Sequence, residues 1–82
     1  MIETKAIINI LAHEASLNPE TLTPETVIRE LAVDSLGLMN VIFGIEDATG
    51  VELKVEEMTE IVTIGDLVRL VDSKAARLGG GL

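Results

Sequence analysis

Three stretches of this chain repeat their apolar residues every three or four positions, and that spacing commits the chain to helices. Ile2, Ala6, Ile7, Ile10 and Leu11 form the first stretch. Leu38, Val41, Ile42 and Ile45 form the second, and Ile64, Leu67, Val68 and Val71 the third. This is the period of a helix with one face buried. A sheet would draw on Tyr, Phe and Trp, whereas Phe43 is the sole aromatic in a chain that is 48% hydrophobic. The core must therefore be aliphatic. With 82 residues there is room for one small domain. The pattern predicts an all-α fold, a small bundle of three main helices plus one short helix, with a long loop between helices 1 and 2.

Punctuation residues set the boundaries. The first helix reads from 2 to 15, and Asn18-Pro19-Glu20 and Thr23-Pro24-Glu25 then break it, because proline lacks an amide donor and disfavours helix just before it. Residues 16–33 become a long connection that Leu22, Val27, Ile28 and Leu31 pin to the core. Connections of this length in a compact domain are often functional. The second helix opens at Asp34-Ser35 with Asp34 as N-cap, a staple between Val33 and Leu38 across the cap, and Gly50 at its end. Residues 56–60 read as a short helical turn. Thr63 caps a last helix with Asp66 in its first turn. The domain spans 1–78, and Gly79-Gly80-Gly81-Leu82 reads as a flexible glycine-rich tail. A glycine tail also occurs on ubiquitin-like modifiers, but that fold needs alternating strands and this chain has helical periods.

Charge and cysteine content remove whole classes of function. Fourteen acids against six bases give a net charge of −8. That field repels nucleic acid and anionic membranes and attracts proteins with basic patches. From Asp34 to Glu60 there are seven acids and one base, Lys54. With no cysteine, disulfides and thiolate zinc sites are excluded, and any thiol chemistry must come from an attached group. No run is long enough to span a membrane, and Glu3 and Lys5 interrupt the N-terminus where a signal peptide would be apolar; a cytoplasmic location is expected. His13 is the single histidine, so a metal site is not expected. The acids at 56, 57 and 60 lack the alternating ligands and central glycine of a calcium loop.

Ser35 is the residue with a chemical opportunity. It falls at the positive end of a long apolar helix, where free amides and the helix dipole favour a phosphate. As a catalytic nucleophile it would need a base, and no Ser/His/Asp pattern or nucleophile elbow accompanies it. It is therefore better suited to receive chemistry than to perform it. Asp-Ser alone is also an ordinary helix cap, so the surroundings must carry the distinction.

Those surroundings are specific. Val33-Asp34-Ser35-Leu36-Gly37-Leu38-Met39 resembles the attachment site of acyl carrier proteins. The likeness extends through the early helix, the proline-containing connection, Thr26-Val27-Ile28-Arg29-Glu30-Leu31, Glu46-Asp47, Gly50-Val51-Glu52-Leu53 and Thr63-Ile64-Gly65-Asp66-Leu67. The resemblance implies that a phosphopantetheinyl transferase attaches 4′-phosphopantetheine to Ser35, with Asp34 as helix cap and recognition residue. It implies a non-catalytic, monomeric carrier of an acyl or aminoacyl group held as a thioester. The cargo would come from a loading ligase and pass to synthases or acyltransferases with basic patches. Leu36, Met39, Phe43, Glu46 and Asp47 would form the partner face; Leu36, Met39 and Phe43 repeat at helical spacing away from the core ridge, Met39 also being able to pack under the connection. Gly37 and Asn40 stand where the fatty-acid-synthesis pattern usually has acids, and Ala32 replaces a common glycine, which points to a specialised fatty-acid, polyketide or related pathway. The alternative is a small acidic helical adaptor without a cofactor, which differs from the carrier only at Ser35.

Overall fold

A computed structural model of the chain describes residues 3–31 and 33–80 and contains four helices: α1 (Thr4–Ala15), α2 (Ser35–Thr49), α3 (Val55–Met58) and α4 (Ile64–Gly80). Expectations attached to Ile2, Ala32, Gly81 and Leu82 concern positions outside the described residues. The three long helices fall on the three periodic stretches, and the architecture is the expected all-α bundle. Some boundaries differ: α1 begins at Thr4, after an extended Glu3, and the backbone of α4 stays helical through Gly80, where the tail was expected from Gly79. Lys74, Ala75, Ala76 and Arg77 are good helix formers and offer carbonyls to the amides that follow.

The core is aliphatic throughout. Ile7, Leu11, Val41, Ile45, Val51, Ile64, Leu67 and Val71 are completely enclosed, and among the described residues no polar side chain is buried. α1 ends at Ser16, a non-glycine residue in the left-handed region with φ 57°. That conformation costs roughly 1–2 kcal/mol; the amide of Leu17 bonding back to the Ala12 carbonyl at 2.8 Å helps to hold it. α1 lies against α2 where α2 carries Gly44. A Cβ at that position would sit 3.0 Å from Ile10 Cγ2 and 3.2 Å from Glu14 Cγ, so the glycine permits the close crossing.

The connection from 16 to 34 is not featureless. It contains two 3₁₀ turns, Pro19–Thr21 and Ile28–Glu30, the first capped by Asn18 Oδ1, which accepts from the Glu20 amide at 3.0 Å. Leu22 and Ile28 are buried as expected, while Val27 and Leu31 are half-buried. Backbone bonds strap the connection to the start of α4. The Ile28 amide donates to the Val62 carbonyl at 2.9 Å, Ile64 to Thr26 at 3.0 Å, and Gly65 to Pro24 at 2.8 Å. Thr63 opens α4 as expected, its Oγ1 accepting from the Asp66 amide at 3.1 Å while Asp66 Oδ2 accepts from the Thr63 amide at 3.0 Å. This reciprocal cap, with a further bond from the Val62 amide, holds the Asp66 carboxyl below its ordinary range.

The short turn α3 starts one position earlier than expected and ends two earlier, and its residue Met58 is buried. Lys74 of α4 ties it down: Nζ donates to Glu57 Oε1 at 2.6 Å and to the Glu52 carbonyl at 3.1 Å.

Gly44→Ala should gain up to about 1 kcal/mol of helix propensity and lose about 1–3 kcal/mol to overpacking at the crossing. The expected net is a loss of about 1 kcal/mol, or roughly 4–8 °C in melting temperature; a rise would show that α1 and α2 have room to spare. A second expectation concerns pH. The hydrogen bond from Lys74, then that from the Lys54 amide, holds the Glu57 carboxyl below the usual glutamate range. A carboxylate depressed in this way contributes stability that is complete above its unfolded pKa and is lost as pH falls through the folded value. The melting-temperature gap between wild type and Lys74→Met should therefore narrow between about pH 7 and about pH 3. An unchanged gap would mean that Lys74 acts through packing alone.

Candidate functional site

The strapped connection delivers the chain to α2 in an extended conformation, with Asp34 at φ −84° and ψ −178°. The Asp34 carboxylate then accepts from the Gly37 amide at 2.8 Å, so one free donor of the first turn is satisfied and the turn is held closed. A Cβ on residue 37 would come within 3.1 Å of Val33 Cγ1 and 3.3 Å of Asp34 Oδ1. Glycine there leaves the cap undisturbed. Val33 and Leu38, expected to staple the cap, line one common cavity on the inner side of the turn.

Ser35 is the first residue of α2 and is exposed, as are Asp34 and Leu36 on either side. Its hydroxyl has no hydrogen-bond partner among the described residues. His13 borders a different shallow depression, with Asn9, Ile10, Glu14, Gly44, Asp47 and Ala48. The depression beside Ser35 is bordered by residues such as Glu14, Ser16, Leu31 and Asn40, with no histidine. The serine is thus accessible without a neighbouring imidazole to activate it. Among the described residues no group of three or more His, Cys, Asp or Glu side chains could hold a metal ion. Among the described residues no helix is long and apolar enough to cross a membrane.

The outer side of α2 divides as its spacing suggests. Leu36 and Phe43 are 70% and 56% exposed; seven residues apart, they stand about 10 Å from each other along the axis. Glu46 and Asp47 are also exposed. Met39 is half-buried and packs against the core, as does Leu38, which was expected within it.

A cavity of about 410 Å³ opens on the opposite side of the first turn. Ile28, Val33, Leu38, Met58, Ile61 and Val62 line it, with Arg29 and Thr59 as its polar members. Sequence reasoning missed this space because its walls come from the second 3₁₀ turn, α2, α3 and the segment before α4.

Comparison with known proteins agrees with this geometry. A family model described as the phosphopantetheine attachment site matches residues 5–71. The acyl carrier protein of Helicobacter pylori strain G27 is 32% identical over 69 residues, covering 82% of this chain and 88% of its own length. That of Wolinella succinogenes is 28% identical over 65 residues, covering 78% and 86%. A non-reducing polyketide synthase of Metacordyceps chlamydosporia is 38% identical over 66 residues, 80% of this chain but only 3% of the synthase. With a helical bundle, a capped and open serine turn, and a match over most of its length, the chain belongs to the acyl carrier protein family, whose members carry phosphopantetheine.

Proposed function

We propose that Ser35 is the attachment point of the phosphopantetheine and that the chain presents an acyl cargo to partner enzymes without catalysing a reaction itself. The observation that carries this reading is the exposed Ser35 hydroxyl at the first turn of α2. The residues around it suit the group. Asp34 spends its carboxylate on the Gly37 amide and keeps the turn formed, leaving other first-turn amides and the helix dipole to favour the phosphate by a few tenths to about 1 kcal/mol. When bound, the group supplies a thiol on which the cargo rides as a thioester. The mainly aliphatic lining of the neighbouring cavity supports a cargo with an apolar stretch, as a specialised fatty-acid or polyketide pathway would provide.

Leu36, Phe43, Glu46 and Asp47, with part of Met39, offer apolar contact beside negative charge. A phosphopantetheinyl transferase, a loading ligase and synthases or acyltransferases with basic, partly apolar patches would use this face. The carrier would act as a monomer in the cytoplasm, where coenzyme A can supply the group.

Incubation with a phosphopantetheinyl transferase, coenzyme A and Mg²⁺ should add the mass of one phosphopantetheine to the wild type and none to Ser35→Ala. The variant should keep its helical circular dichroism and stay within about 0.5 kcal/mol of wild-type stability. Loading of the variant, or unfolding by it, would refute the assignment, and a wild type that gains nothing would favour the adaptor. Phe43→Glu should slow transfer to a partner while leaving the melting temperature nearly unchanged; a large fall would reveal Phe43 as core.

A further inference from the structure

We infer that Glu14 of α1 is part of the surface on which the loading transferase docks, an acid that α1 lends to the exposed face of α2. The inference rests on Ser35 being the attachment point.

From Ser35 to Ile45, α2 has no acidic residue of its own. Its exposed apolar pair, Leu36 and Phe43, is flanked by Asp34 at one end and by Glu46 and Asp47 at the other. Glu14 fills the gap. Because Gly44 has no side chain, the Glu14 stem lies across α2, with Cγ 3.2 Å and Cδ 3.6 Å from where a Cβ would be. Besides the depression that it shares with His13, Glu14 borders two more, one with Asp34, Leu36 and Asn40, the other with Asn40, Phe43 and Asp47. Sharing Glu14 and Asn40, they form one groove along the α1–α2 seam. No lysine or arginine lines it, and Glu14 makes no ion pair among the described residues.

Charge complementarity and position select the occupant. A segment with an arginine or lysine between two apolar side chains would match Glu14 between Leu36 and Phe43. The transferase must bring its reacting centre within bonding distance of the Ser35 hydroxyl, so it must cover the adjoining turns of α2. Enzymes that act at the far end of the prosthetic arm have no such obligation.

Steady-state loading kinetics with coenzyme A and a phosphopantetheinyl transferase test this. Glu14→Lys should raise the KM for the carrier about tenfold with kcat nearly unchanged, and Glu14→Gln about threefold. Added salt should shrink both differences. Glu20→Lys makes the same change in net charge beside Thr4 and Lys5, at the other end of α1, and should shift KM by less than about twofold. An acid near the end of α1 opposes the helix dipole, so its removal does not weaken that helix; should Glu14→Lys lower the melting temperature, the near-isosteric Glu14→Gln decides. Glu14 variants whose KM follows Glu20→Lys would overturn the docking role while leaving Ser35 loaded. Loading of Ser35→Ala would instead remove the attachment reading beneath it.

Discussion

The backbone strap between the long connection and the start of α4 is what the rest of the structure depends on. Three amide–carbonyl bonds join Pro24, Thr26 and Ile28 to Gly65, Ile64 and Val62. They satisfy groups that a connection packed on an apolar core could not leave unpaired without cost. With that segment fixed, Leu22 and Ile28 enter the core, and the chain arrives at Asp34 already extended. The serine turn is presented by this arrangement and not by a tight hairpin, so it can be both rigid and open. The same strap brings Ile28 and Val62 to the wall of the cavity behind the turn.

α2 has to serve two opposed demands. Val41, Ile42 and Ile45 give it to the core, whereas Leu36 and Phe43 remain in solvent. A helix apolar on both sides would normally be buried all round. Here α1 covers only one flank, and it can come close because Gly44 leaves room for Ile10 and Glu14. The uncovered apolar side chains lie among carboxylates, a combination that suits transient contact with basic partners better than permanent association.

Much of this was legible in the residues. Helical spacing located α1, α2 and α4, and the two prolines marked the connection. Asp34, Gly50 and Thr63 act as the terminators that their chemistry suggests. The serine turn was readable too, because cap, serine and apolar flanks are adjacent in the chain. The Glu14–Gly44 contact was not, since its partners lie thirty positions apart; an isolated glycine within a helical pattern was the available signal. The Lys74 tie to Glu57 and the Glu52 carbonyl had no such signal, because long-range pairing of surface charges follows no sequence period.

What the sequence determined by itself is local: which segments are helices, which residues cap them, and that one serine stands at the head of the second. Those properties depend on residues within a turn or two of each other, where periodicity and capping operate directly. The tertiary structure alone decided which apolar side chains of α2 stay outside, where the cavity opens, and which acid of α1 reaches the face beside Ser35. These follow from how closely whole helices approach, and that distance is set by the packing of residues from every part of the chain at once.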